Sequence, residues 1–221
     1  MKVKRRKSGE PPAAEKPRRT YRSKLRAEAT DATRMRIIEA ARTLFIGGKD
    51  LPAFSVDGVA RQAGVTRLTV YNQFVSKLGL LEAVFDDIAE RGGLIADLPS
   101  IFTEPDPRAA LRRFVSVFCG FWTRHKSMMP AFQAVIKIDE DIAASLQRRT
   151  ERRRHILSAL VKRLAPDGGK DNADLVDMLY VLTSFDTFEA LSVRNRSAKS
   201  VETLMQTLVE QTVRALLGAR G

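Results

Sequence analysis

Arg67, Leu68, Thr69, Asn72 and Gln73 follow a helix-capping Thr66 and face away from the apolar Val65 and Val70 that would seat the same short helix. Their chemistry suits the edges of base pairs. Arginine can donate a fork to guanine O6 and N7, Asn72 or Gln73 can bridge adenine N6 and N7, and Leu68 or the Thr69 methyl can meet a thymine methyl. Each match alone is common, and for Arg67 a phosphate contact is an equally good use of the guanidinium. What separates the two uses is the set of elements that carries these side chains.

Those elements form a tight helical pair. Ser55 is placed to cap a short helix bearing Val56, Val59 and Ala60, Gly64 breaks it, and Thr66 starts the next, which runs to about Phe74. Two helices crossing steeply after so short a turn require a small residue at Ala60 and a permissive one at Gly64, with Val59, Val65 and Val70 filling the small core between them. A preceding helix from Asp31 carries Met35, Ile37, Ile38, Ala41, Leu44 and Phe45 on one face and ends at Gly47-Gly48. A following helix opens at Lys77 after Ser76, shows Leu80, Leu81, Val84, Phe85 and Ile88 in register, and ends at Gly92-Gly93.

The run from Phe54 to Leu81 resembles the helix-turn-helix of the TetR family of bacterial regulators. The matching landmarks are Ala60, the Ala63-Gly64-Val65 turn, Tyr71 and Phe74 on the second helix, and then Ser76-Lys77 with Leu80-Leu81. The sequence departs from the commonest pattern at Leu68, where a small residue often stands, and at Asn72-Gln73, where His or a second aromatic often follows the tyrosine. The resemblance implies an all-α protein: an N-terminal three-helix helix-turn-helix DNA-binding domain followed by a helical-bundle domain for effector binding and dimerisation. It implies that Tyr71 and Lys77 hold phosphates, and Arg34, Ser55 and Thr66, read as standing at helix starts, join them as phosphate candidates. Its implied partners are a double-stranded DNA operator, a second copy of the chain bound through the last two helices, and a small apolar effector. The alternative is a helical ligand- or partner-binding module that reads no specific DNA.

The rest of the 221 residues supports such a plan. The formal net charge is +12, and residues 1–26 alone hold eleven Lys or Arg against two Glu. That field favours polyanions. Residues 1–27 carry Pro11, Pro12 and Pro17 and few large apolar groups, which predicts a disordered basic arm. Residues 28–92 then form the DNA-binding domain and residues 93–221 the helical ligand-binding and dimerisation domain. In the latter, residues 94–107 read as a linker, and apolar stripes follow at Leu111, Phe114, Val115, Phe118 and Trp122, at Phe132, Val135 and Ile136, and from Ile142 to Leu164. A helix carrying Leu175 through Leu191 and a last one carrying Val201 through Leu216 close the chain. Phe118, Trp122, Phe132, Phe185 and Phe188 are the candidate effector-pocket residues.

Other chemistries are poorly served. One cysteine, Cys119, and two histidines give no convergent catalytic set, so no enzyme, no metal and no cofactor are expected. Cys119 reads as core and His125 as surface. Asp139-Glu140-Asp141 reads as an acidic helix start, Gly168-Gly169-Lys170 as a turn, and the cluster Arg148, Arg149, Arg152, Arg153 and Arg154 as a solvated face. With neither a secretory signal nor an apolar run of spanning length, the expected location is the cytoplasm, with no membrane partner.

Overall fold

The computed structural model describes residues 17–47, 54–137, 140–167 and 170–218. Of the residues read above, the arm up to residue 16, Gly48, Asp139, Gly168, Gly169 and the side chain of Ile136 lie outside that set. Eleven helices and no strand occur among the described residues: α1 (Pro17–Gly47), α2 (Val56–Ala63), α3 (Arg67–Phe74), α4 (Lys77–Arg91), α5 (Leu94–Phe102), α6 (Pro107–His125), α7 (Met129–Ile136), α8 (Glu140–Leu164), α9 (Lys170–Leu182), α10 (Phe185–Leu191) and α11 (Ala198–Gly218). The all-α expectation holds.

Two apolar cores organise them. The first is built from Ile37, Ala41 and Phe45 of α1, Val59 of α2, Val70 and Phe74 of α3, and Leu80, Leu81 and Val84 of α4. It does not stop at residue 92. Met128, Phe132 and Val135 around α7, Phe121 of α6 and Ile142 of α8 complete it. Phe132 stacks at 4.6 Å from Phe45 and 4.4 Å from Phe85. Each such ring contributes about 1.5–3 kcal/mol by leaving water, so α7 is bound to the N-terminal helices by its aromatic side chain. The second core joins α5, α6, α8, α9, α10 and α11 around Phe114, Leu157, Leu160, Leu179 and Met205, all essentially inaccessible.

Several expectations are corrected. α1 starts at Pro17, so residues 17–27 are helical rather than part of a disordered arm. Proline suits a first helical position, and the Arg, Lys, Ala and Leu that follow are good helix formers even though the turns from Lys24 to Thr30 are exposed and bury nothing. Residues 94–102 of the expected linker form α5 despite Pro99, because Ile101 and its neighbours Leu94 and Leu98 pack against the second core. The expected helix from Leu175 to Leu191 is broken into α9 and α10. Thr183 is fully buried at the break, its hydroxyl donating back to the Leu179 carbonyl (2.7 Å), and Ser184 caps α10 by accepting from Thr187 N.

The arginine cluster on α8 is not a solvated face throughout. Arg153 is only 8% exposed, donates to the Thr183 carbonyl (2.6 Å) and lies 4.2 Å from the Tyr180 ring, and burial lowers its pKa. Arg149 reaches α4, donating to the Glu82 carbonyl (3.1 Å) and the Asp86 carboxylate (2.8 Å). His125 is core, not surface. It is 7% exposed, stacks on Phe121, and its Nε2 has no hydrogen-bond partner. Cys119 is buried as expected, its thiol pushed up to about 12 by that burial. No three His, Cys, Asp or Glu side chains gather in metal-binding proximity among the described residues.

Candidate nucleic-acid interface

Three hydroxyl caps fix the three short starts on which the site depends. Ser55 Oγ accepts from Gly58 N (3.0 Å) to begin α2, Thr66 Oγ1 accepts from Thr69 N (3.1 Å) to begin α3, and Ser76 Oγ accepts from Gly79 N (3.0 Å) to begin α4. Each cap satisfies a helix amide that has no intrahelical partner, typically a contribution of about 1 kcal/mol. Among the described residues the Ser55 hydroxyl donates to no acceptor. Between α2 and α3, Gly64 adopts φ 64° and ψ 38°, with its N–H bonded to α2 carbonyls. A Cβ there would meet nothing within 4 Å, so the residue is required for its left-handed backbone rather than for closeness.

Glycine is required for closeness at Gly79. A Cβ on it would lie 2.2 Å from the Phe74 carbonyl oxygen, because α4 crosses directly over the end of α3. Sequence reading passed over this position, whose only signal was a glycine inside an otherwise apolar helix start. The turn between these helices holds a second unnoticed feature. Val75 has φ 64° and ψ −43°, and Ser76 N donates to Phe74 O across it (2.6 Å), a tight three-residue turn that is strained for a β-branched residue. Val75 is 87% exposed.

On α3 the buried side is Val70 and Phe74, and the outward side carries the predicted residues. Leu68 is 68% exposed, Arg67 and Asn72 are exposed, and Thr69, Tyr71 and Gln73 are half-buried. The Thr69 hydroxyl pairs with that of Thr66 (2.9 Å), which leaves its methyl group for apolar contact. Lys77 is exposed at the first position of α4, next to its cap. Arg34 differs from expectation in place. It lies in the interior of α1, not at a helix start, where its guanidinium donates to the Gln73 carbonyl (2.9 Å) and sits 4.4 Å from the Phe74 ring. Its role in this structure is to clamp the C-terminal end of α3 to α1.

Arg67 is held on two sides. Nη1 donates to Asp57 Oδ2 (3.1 Å) on α2 and Nη2 to the Tyr71 hydroxyl (3.3 Å). The Tyr71 hydrogen bond, then the Asp57 charge, raise the arginine pKa. The Tyr71 oxygen thus accepts from Arg67 while its own proton remains available to a phosphate. The arrangement is a capped, two-helix platform presenting donors and apolar tips on one short helix.

Residues 37–84, the segment that contains this platform, match the family described as bacterial regulatory proteins, tetR family. The helix-turn-helix segment is thus of the tetR-family type. Among curated relatives, an uncharacterised HTH-type transcriptional regulator, TtgW, of Pseudomonas putida is 48% identical over 61 residues, 28% of this chain and 44% of that protein. The HTH-type transcriptional regulator EthR of Mycolicibacterium smegmatis is 28% identical over 119 residues, 54% of this chain and 55% of that protein. The chain thus spans about half the length of the curated relatives it matches. A Rhodococcus transcriptional regulator superposes with a TM-score of 0.64 at 18% identity, covering 82% of this chain and 96% of that one. A regulator of Aquifex aeolicus does so at 0.59 and 17% identity, covering 81% and 98%. These likenesses show that the fold of those regulators extends over about four fifths of this chain, beyond the segment that carries sequence identity.

The effector candidates separate into two places. Phe118, Trp122, Phe185 and Phe188 come together in the second core, with Trp122 5.7 Å from Phe185 and Phe185 6.2 Å from Phe188. Trp122 Nε1 donates to the Thr183 carbonyl (3.1 Å), the same oxygen that Arg153 holds. Phe132 belongs instead to the first core, with Phe45 and Phe85. No described helix is long and apolar enough to cross a membrane.

Proposed function

We propose that this chain is a transcriptional regulator that binds a palindromic DNA operator as a homodimer, with α3 of each copy in the major groove, and releases it when a small apolar effector enters the C-terminal helices. The observation that carries this reading is the outward face of α3, where Arg67, Leu68 and Asn72 stand exposed on a helix fixed by caps at both its start and the start of α4. Base-edge contact belongs to Arg67, Leu68, Thr69, Asn72 and Gln73, and phosphate contact to Tyr71, Lys77, Ser55 and Thr66. Arg34 acts through its hold on the end of α3. Repression is the mode of action proposed, and the cytoplasm its place.

Residues 28–92 act as the reading unit and residues 93–221 as the effector and dimerisation unit. One α3 spans only a few base pairs, whereas two held about 34–36 Å apart read an inverted repeat with useful selectivity. Exposed Met178 and Val181 on α9 and Leu208 on α11 supply apolar contact for the second copy. The effector parts Phe118, Trp122, Phe185 and Phe188, and the change in spacing between the two α3 helices lowers DNA affinity. Selection of fragments from a random duplex library at moderate salt tests the reading. An enriched inverted repeat is the expected result, and recovery of no site overturns it.

A further inference from the structure

Asp57 and Arg67 are ten residues apart, on the second position of α2 and the first of α3, so their ion pair spans the turn of the helix-turn-helix. Both side chains are more than half exposed, and an exposed pair of this kind adds little to folding stability. A role in stability therefore does not account for the geometry. The guanidinium is confined by three contacts: Asp57 Oδ2 at 3.1 Å, the Tyr71 hydroxyl at 3.3 Å, and the Tyr71 ring with its centroid 5.5 Å away. Of its five N–H donors two are spent inward, and the remaining three make no hydrogen bond to the described residues.

We propose that Asp57 is a specificity-determining residue, whose carboxylate, with the Tyr71 hydroxyl, fixes the Arg67 guanidinium in one pose for a guanine O6 and N7. The proposal rests on the regulator reading above. A long exposed arginine otherwise samples many rotamers, binding phosphates as readily as bases, and loses that freedom only on contact. Held by Asp57, it meets the groove already oriented. When DNA docks, water leaves and the local dielectric falls, so the ion pair that is weak in the free protein strengthens in the complex. The acidic group also makes the Arg67 corner a poorer partner for a phosphate, steering the guanidinium toward the groove floor.

The test uses the full chain and measures binding to the selected operator and to its variants at each base pair. Asp57→Ala is expected to lower the preference about tenfold at the same base pair that Arg67→Ala relaxes, with the melting temperature unchanged. Asp57→Asn, which keeps an acceptor for the guanidinium but no charge, is expected to recover part of the preference. In the free protein, 15N relaxation at the Arg67 Nε is expected to report greater mobility in Asp57→Ala than in wild type. If Asp57→Ala tightens every duplex alike and keeps its base preference, Asp57 acts by repulsion alone and the proposal falls. Loss of preference at a different base pair assigns Asp57 its own base contact and also overturns it, as does unchanged Arg67 mobility. Failure of the wild-type chain to enrich any site overturns the regulator reading itself and is recognised before any variant is made.

Discussion

Arg67 and Arg153 are the same side chain beside the same kind of neighbour, a tyrosine, in two regions that use them oppositely. Arg67 stands exposed at the start of α3 with Tyr71 and Asp57, while Arg153 is buried in α8 against Tyr180 with its guanidinium on the Thr183 carbonyl. Burial removes solvent as a partner, so every donor of Arg153 that reaches a backbone oxygen compensates for lost hydration. Exposure leaves the donors of Arg67 available to something outside. The contrast separates a side chain that maintains the fold from one whose donors stay open to solvent, and it also separates the helix-turn-helix from the bundle behind it.

The largest expected effect lies in the scaffold of the reading helices rather than in either arginine. Gly79→Ala should cost about 3 kcal/mol in urea denaturation, since its Cβ would press on the Phe74 carbonyl at 2.2 Å; a cost near that of an ordinary helix substitution would mean that α4 does not cross α3 so closely. Arg153→Met should lower stability by about 2 kcal/mol by leaving Thr183 with only the Trp122 donor, while Arg67→Ala leaves the melting temperature unchanged and relaxes one operator base pair by about 1–3 kcal/mol. Equal losses of stability from the two would erase the contrast. Lys77→Ala should weaken all duplexes alike and reduce the salt slope by about one, which sets it apart from Arg67.

Smaller effects probe the edges of the same regions. Val75→Gly should stabilise the protein by about 1 kcal/mol, because its positive φ strains a valine that buries almost nothing. His125 offers a pH test on the bundle side. Burial first, then the charges of Arg124 and Arg42, lower its folded pKa below the ordinary 6.5. The unfolded chain then binds a proton that the folded chain refuses, so stability falls as pH drops below about 6.5. The slope of melting temperature against pH in that window should flatten in His125→Leu.

The helix-turn-helix was legible because each of its parts has a local cause: a hydroxyl at a cap, a glycine at a left-handed turn, valines at helical spacing. What was not legible depends on partners distant in sequence. Nothing in the stripe Phe132-Val135 says which of two cores it joins, and the α9–α10 break at Thr183-Ser184 contains neither Gly nor Pro. A signal for Arg149 and Arg153 did exist, since they continue the stripe Ile142, Ser145, Leu157, Leu160 at helical spacing on α8. Charge count alone masked it. Asp57 carried no signal of its own in the sequence, and only the fold brings it to Arg67.

The shared core at α7 bears on how such proteins can be recombined. A hybrid that takes its reading head from this chain and its bundle from a relative, cut after Gly92, would strip Phe45 and Phe85 of Phe132 and expose them. The transferable unit therefore includes a piece of α7 that lies dozens of residues downstream, and a working chimera must keep or redesign that contact.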